Sequence, residues 1–452
     1  MTLSACEEPK PVALPAWQQG LVVVVPSEEA GEEAGFEREL VGLFAQQLQL
    51  PVRLISASPD QGADILQARR AHFAATGMSR NEESTFHFGP VYRTTQFQVV
   101  CGAELPPEVS HLVDLPLAVV AGSVEESALL AARQKQPTLQ WASRTDATMP
   151  ELLTQVAEGA AVCTVVDADQ FKSLILLYPG LNPMFNLGAP VQQVWVTPAD
   201  AAPELLTRME EFFAGIQRDG TLRNLLDRHF GDRKRGIEPS EAADLLAAVE
   251  TELPRYRKLF EEAGRISGLD WHLIAAIAFH ESKWDPQATS PTNVRGMMML
   301  TEDTAERMGV RDRLNPRQSI RAGAKYLKLL KSRLPDSIAE PDRTWFALAA
   351  YNQGAAHLED ARVLAQRRGL NPDLWVDVKS VFPLLAEPEY FETLKFGHAR
   401  GGEAVFLVEQ IRDYIQILRA RTAVAKDEEV EPSILHSYFH PFEGMPRLLG
   451  IL

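Results

Sequence analysis

The sequence predicts a multidomain chain of two architectures, an α/β half followed by an α-helical half. Three observations predict it. Short β-like runs alternate with amphipathic helical stretches through the first two hundred residues or so, strand signals fade from about residue 204, and almost every apolar run beyond that point repeats with helical period.

The first half reads in order. "GLVVVVP" (20–26) is a short apolar run with turn residues at its ends, the pattern of a buried strand. "GFERELVGLFAQQLQL" (35–50) carries apolar residues at helical spacing. "PVRLISA" (51–57), "HFAATG" (72–77), "FQVVCG" (97–102) and "PLAVVAGS" (116–123) read as strands, and 124–133 and 148–158 as helices. "AAVCTVVDADQF" (160–171) is a strand running into a helix. This alternation predicts open, largely parallel sheets with helices on their faces, and ligands outside the carboxyl ends of the strands. "RHFGDRKRGIEPSEAADL" (228–245) is charged and broken by Gly and Pro, which marks the domain junction. Helical period then holds over 241–265, 271–283, 301–309, 317–333, 343–351, 355–368 and 403–420, and the residues after Arg421 read as a surface tail. The division expected is 1–17, 18–235, 236–421 and 422–452.

Composition narrows the function. The chain of 452 residues is 45% hydrophobic and 23% charged, with a formal net charge of −16. Large cores are possible, and a broad nucleic-acid footprint, which needs basic patches, is excluded. No apolar run reaches the ~18–20 residues of a membrane-spanning helix. Three cysteines, Cys6, Cys101 and Cys163, form no CxxC or Cys/His cluster, so no metal site is expected. Spacing cannot establish a Cys101–Cys163 bridge, and buried thiols are the default reading. Leu3-Ser4-Ala5-Cys6 resembles a bacterial lipobox without its preceding apolar region. That resemblance implies a lipid on Cys6, and Glu7 after it implies sorting to the outer membrane.

The order and spacing of "LVVVVP", "GFEREL", "AATGMS", "FGPVYRTTQFQVV", "LAVVAGSVEES" and "AVCTVVDADQF" over residues 18–230 resemble the periplasmic amino-acid-binding solute-binding proteins. The resemblance implies two α/β lobes closing on a ligand. It implies that Ser123 holds a ligand carboxylate, that Asp167 holds an amine, and that Tyr92 lies near the hinge. The arginine that family places six residues before its phenylalanine is replaced by Glu82; the nearest arginine is Arg80. Two readings stay open: a scaffold without ligand, or a sensor of a small amine-bearing ligand such as a cell-wall peptide fragment or amino acid.

In "WHLIAAIAFHES", Ile274, Ile277 and Ala278 lie seven, four and three residues before Glu281, and those positions share one helix face. Glu281 therefore projects from the side of the core, where burial disfavours its charged form. A rise from ~4.3 to ~6 corresponds to about 2.3 kcal/mol. A glutamate tied to Arg295, to Arg321 or to a cap is the alternative. Glu281-Ser282, Ser290, "GMMMLT" (296–301), "NPRQSIRAGAKYL" (315–327) and "AYNQG" (350–354) follow in order, and over 255–420 they resemble the soluble-type lytic transglycosylases, which have a goose-lysozyme-like helical fold. The chain as a whole resembles the membrane-bound lytic murein transglycosylase F group.

This resemblance implies that Glu281 is the catalytic acid/base and that Ser290 bonds near it. Tyr351 and Asn352 line the cleft, and Met297 and Met298 form an apolar floor under the sugar. Met299 stands where many relatives carry glutamine, and Leu407 where they often carry tyrosine. Gly323, Tyr326 and Trp284 read as packing residues, and Asp285, one turn on and before Pro286, as a helix-terminal residue. One carboxylate suffices when the substrate supplies the nucleophile. The expected activity is cleavage of the β-1,4 bond between N-acetylmuramic acid and N-acetylglucosamine with 1,6-anhydro ends, modulated by a ligand of the first module. The alternative is a lysozyme-type hydrolase, and an inert helical domain on a binding protein is a third reading. No cofactor is expected. The implied partners are peptidoglycan strands, a muropeptide or amino acid, and the periplasmic face of the outer membrane.

Overall fold

In a computed structural model of the chain, the described residues are 14–427 apart from 28–31, 79–84, 103–115, 160–162, 179 and 232–236. Cys6, Arg80 and the last residues of the chain lie outside them. Two compact units emerge, one holding the chain up to Phe171 with Gly180–Ile216, the other Lys172–Pro179 with the chain from Gln217. Among the described residues no helix is long and apolar enough to cross a membrane.

The first unit contains β1 (Leu21–Val25), α1 (Glu32–Leu48), β2 (Val52–Ser56), α2 (Pro59–Gln67), β3 (Phe73–Ala74), β4 (Phe86–Cys101), β5 (Ala118–Val120), α3 (Val124–Lys135), β6 (Ala142–Arg144), α4 (Met149–Ala157) and β7 (Cys163–Asp167). It continues with α5 (Ala168–Leu174), β8 (Asn182–Pro198) and α6 (Pro203–Arg218), of which the residues from Lys172 in α5 and from Gln217 in α6 belong to the second unit. β1 is buried along its whole length, as its unbroken apolar run predicts. The main sheet has the order β2-β1-β3-β8-β4-β7, and β5 and β6 form a small parallel pair.

The expectation of largely parallel sheets needs correction. β1 runs parallel to β2 and β3, but β8 runs antiparallel to β3 and β4, and β4 antiparallel to β7. The physical cause is the pair of long strands β4 and β8, which traverse the unit side by side in opposite directions. Their register shifts between Phe88 and Val91 and again between Thr95 and Phe97, so Gly89-Pro90 sits at a bulge and does not end the strand. The default reading of Cys101 and Cys163 as thiols is also corrected. They are directly paired across β4 and β7 and form a disulfide.

The second unit contains α7 (Thr221–His229), α8 (Pro239–Thr251), α9 (Leu253–Ser267), α10 (Trp271–Ser282), α11 (Glu302–Met308), α12 (Pro316–Arg333), α13 (Asp342–Gln353), α14 (Ala355–Arg367), α15 (Trp375–Val381), α16 (Pro388–Phe391) and α17 (Gly401–Asp427). One helical run expected over 241–265 is two helices, because Pro254 cannot donate inside a helix and sits in the first turn of α9. Trp284, Phe279, Phe346, Trp375 and Tyr414 share one core. α7 joins this unit through buried charge. Asp227 accepts from Lys379 and, at 3.0 Å, from Arg412, while Arg412 also donates to Glu409 at 2.9 Å.

Candidate active site and ligand cavity

Asp270 starts α10 by accepting the backbone N–H of His272 at 3.0 Å, an N-cap that satisfies an otherwise orphaned donor. From Leu273 to Phe279 every residue is buried, so the helix is apolar on all sides and not on one face only. It terminates at Lys283 in the left-handed conformation, followed by Trp284 with φ of 63°. That sharp turn leaves Glu281 partly exposed at the end of an otherwise dry helix. Burial pushes its carboxyl up to about 7. Among the described residues no side chain bonds to it, and Arg321 pairs with Glu262 instead. The alternative of a glutamate neutralised by Arg321 therefore fails.

Two hydroxyls fasten the loop 296–299 against this helix end. Ser282 Oγ donates to the Met297 carbonyl at 2.9 Å, and Tyr351 Oη donates to the Met298 carbonyl at 3.1 Å. Burial raises the Tyr351 phenol well above its usual value, and the nearby Glu281 carboxylate raises it further, so the phenol stays a proton donor. The loop is fixed from below by α12: Ser319 Oγ accepts from the Met298 N–H at 3.1 Å. Gly296 has φ of +80°, and a Cβ there would lie 1.9 Å from the Arg313 carbonyl, so only glycine fits. Of six non-glycine residues with positive φ among the described residues, four (Lys283, Trp284, Asn293 and Met299) fall in the segment after Glu281. Such backbone concentrates where surrounding structure must hold a site in shape.

The structure brings Glu281, Met297, Met298 and Tyr351 together, with changed roles for the methionines. Both are fully buried, so they support the loop from inside and cannot be a floor that a sugar touches. The partly exposed Met299 is the methionine at the surface. Ser290 is engaged locally: its Oγ accepts from the Val294 N–H at 3.1 Å and lies 3.0 Å from Thr292 Oγ1. Asn352 is exposed and accepts from Gln353. Trp284 is a core residue whose indole donates to the Ala275 carbonyl at 2.8 Å, and Asp285 caps the Gln287 N–H. Ser282 is the functional-site residue that spacing alone did not assign. Its position beside Glu281 was visible, but its bond to Met297 crosses 15 residues.

The first unit has a cavity of about 330 Å³, lined among others by Ser58, Thr76, Gly122, Ser123, Glu33 and Glu125. Ser123 caps α3 there, accepting from the Glu126 N–H. Asp167 and Tyr92 have other tasks than those implied. Arg93 donates twice to Asp167 at 2.8 Å, Thr95 donates at 2.5 Å, and the backbone N–H groups of Asp169 and Gln170 complete its shell. An amine finds no free acceptor on that carboxylate. Tyr92 is buried, stacked on Phe213 with its hydroxyl donated to Glu37, so it is a packing residue. Among the described residues no group of three or more His, Cys, Asp or Glu is placed to hold a metal ion.

Residues 24–232 match the family model of bacterial extracellular solute-binding proteins, family 3, and residues 258–372 match the transglycosylase SLT domain. A membrane-bound lytic murein transglycosylase F of Methylobacillus flagellatus is 44% identical over 437 residues, 93% of this chain and 92% of that protein. One of Nitrosospira multiformis is 45% identical, over 86% of this chain and 82% of that protein. Among solved structures, an ArgBP mutant from T. maritima aligns at 16% identity over 48% of this chain and 96% of its own, with a TM-score of 0.41. A two-module chain of this order, matched to such relatives along nearly its whole length, belongs to the membrane-bound lytic murein transglycosylase F family.

Proposed function

We propose that the chain cleaves the β-1,4 bond between N-acetylmuramic acid and N-acetylglucosamine without water, with Glu281 as both acid and base. Protonated Glu281 gives its proton to the glycosidic oxygen as the bond to C1 breaks. The 6-hydroxyl of the same muramic residue then attacks C1, its proton returns to Glu281, and a 1,6-anhydro ring closes. The 2-acetamido oxygen stabilises the positive charge at C1 between the two steps. Atoms balance, and the enzyme ends as it began. The observation that carries this reading is a single carboxyl, unpaired among the described residues and poised near neutrality, where an acid/base must both give and take a proton. Tyr351 and Ser282 hold the adjoining loop, and the partly exposed Met299, Ser290 and Asn352 are the groups available to the saccharide.

The functional division is a regulatory module over 18–235 and a catalytic one over 236–421. The lipobox-like segment supports anchoring through Cys6 at the periplasmic face of the outer membrane. Digestion of murein in ¹⁸O-water tests the chemistry. Unlabelled 1,6-anhydromuropeptides support it; labelled reducing ends establish the lysozyme-type hydrolase instead.

A further inference from the structure

The second unit carries a strongly basic face, in a chain whose formal net charge is −16. On α12, Arg317, Arg321 and Lys325 follow one another four residues apart and Lys328 comes three further on, so they form one stripe, and all four are exposed. α12 contains no acidic residue from Pro316 to Arg333. Like charges at helical spacing repel one another and weaken a helix, so such a stripe is kept at a cost.

α9 packs beside α12 and extends the face. Lys258, Glu262, Arg265 and Ile266 share one side of α9. Glu262 pairs with both Arg317 and Arg321, which joins the outer sides of the two helices into one surface. Arg321, Arg317 and Arg265 hold its carboxyl below the usual range. The two arginine side chains stay 54% and 46% exposed in those pairs. Among the described residues Lys258, Arg265, Lys325 and Lys328 form no salt bridge. Glu261, the other acid of α9, is taken by Arg257 at 3.0 Å. The joint face thus sets Lys258, Arg265, Arg317, Arg321, Lys325 and Lys328 against one carboxylate, Glu262. α11, which also packs on α12, has Glu302, Asp303 and Glu306 with Arg307, and bounds the basic face.

Two features fit this face to a lipid surface. Ile266 is 62% exposed, the most exposed large apolar side chain among the described residues, and it adjoins Arg265. An aliphatic side chain among cations matches anionic headgroups lying over hydrocarbon. The second feature is orientation. Ser319 and Gly323 face Met298 in the loop beside Glu281, whereas Arg321 and Lys325, two residues to either side of Gly323, lie about 200° round the helix. A planar surface can therefore occupy the stripe and leave that loop free, while a glycan strand seated at Glu281 does not run along it. The net negative charge of the chain as a whole leaves this face as the one an anionic plane attracts.

We propose that the α9–α12 face docks the second unit on an anionic phospholipid surface, with its cations over the phosphodiester headgroups and Ile266 entering the interface, independently of any lipid on Cys6. A cation near an anionic leaflet is worth about fivefold in partitioning, so each contact is weak and the set is strong. Docked in this way, the unit keeps the loop beside Glu281 turned from the lipid. The inference uses the position of that loop and is independent of the chemistry at Glu281.

Cosedimentation with vesicles tests it, using the full-length chain with Cys6→Ser so that no acyl chain contributes. The vesicles are phosphatidylcholine alone, or phosphatidylcholine with about a third phosphatidylglycerol. The chain should bind the phosphatidylglycerol vesicles at about 0.1 M salt and leave them at about 0.5 M. Lys325→Gln with Lys328→Gln should weaken binding roughly tenfold to thirtyfold, and Ile266→Ser about threefold to tenfold. Arg70→Gln with Lys135→Gln, which removes two exposed cations of the first unit, should leave it unchanged. Thermal unfolding identifies any variant that fails to fold, and Lys258→Gln with Arg265→Gln repeats the test from α9. No cosedimentation, equal binding to phosphatidylcholine alone, or unchanged binding in the folded variants overturns the proposal. Murein sacculi are the competing occupant. If a Glu281→Gln chain binds sacculi through Lys325 and Lys328 while vesicles retain nothing, the face serves the substrate and the proposal falls. Murein cleavage by the parent chain without vesicles is measured alongside, and its absence would count against the catalytic reading alone.

Discussion

Gly323→Ala probes the link between packing and the active site. Gly323 faces the loop from α12, and a Cβ built there lies 2.5 Å from Met298 Cε, 2.9 Å from Cγ and 3.0 Å from Cβ. The terminal methyl could swing away and Cγ could follow a χ1 rotation, but Cβ cannot shift without moving backbone. Met298 is fully buried, and its peptide groups are held at both ends, N–H to Ser319 and carbonyl to Tyr351. Overpacking of this kind costs about 1–3 kcal/mol, and the helix preference of alanine over glycine returns about 1 kcal/mol. The net expectation is a loss of about 0–2 kcal/mol, or up to ~8 °C in the melting temperature of the second unit. Displacing the Met298 carbonyl shifts Tyr351 beside Glu281, so turnover should fall on the order of tenfold or more. Gly42→Ala in α1 is the control: its Cβ meets nothing within 4 Å, so stability should rise by about 0.5–1 kcal/mol with cleavage unchanged. Calorimetric unfolding and clearing of a murein suspension measure both quantities. A Gly323→Ala protein as stable and as active as wild type would refute the reasoning.

Three further outcomes follow from the same structure. The kcat/KM profile should hold level below pH 7 and fall about tenfold per unit above it, because the acid form of Glu281 is required and its carboxyl sits at about 7; a profile flat to pH 9 in buffered murein assays contradicts this. Replacing Cys101 and Cys163 by alanine removes a bridge across 62 residues of sequence, which should destabilise the first unit by about 2–4 kcal/mol in urea titrations. Asp227→Asn leaves Lys379 and Arg412 buried with Glu409 as their remaining carboxylate in that cluster, and should lower stability by about 3–5 kcal/mol, read as a shifted midpoint of the second unit.

Elements whose residues carry their own signal were legible. α10 was expected over 271–283 and runs Trp271–Ser282, since Asp270 caps it and the chain turns before Pro286. β8 was missed, and β4 was expected only over its last few residues. Gly89-Pro90 and Gly188-Ala189-Pro190 look like breakers, whereas long-range pairing carries the strands through them as bulges. Glu281 stood out because a carboxyl on an apolar run is costly unless used. The facing of Met297 and Met298 was hidden, because a loop has no period from which to read a face. The fate of Asp167 was equally hidden: the arginine that saturates it lies 74 residues away, and only the antiparallel register of β4 with β7 brings them together.

The most direct test of Glu281 uses Glu281→Gln, followed by mass spectrometry of murein digests and by thermal unfolding at pH 5 and pH 8. Its carboxyl is raised on folding, so the native state prefers the protonated form. That preference is fully present below about 4.5 and is lost as pH climbs through about 7, at a cost of up to about 3 kcal/mol. The glutamine, which never ionises, escapes that cost. The variant should therefore yield no 1,6-anhydromuropeptides while melting higher than wild type at pH 8 and close to it at pH 5. Retained production of anhydro ends by a folded Glu281→Gln protein would contradict the account.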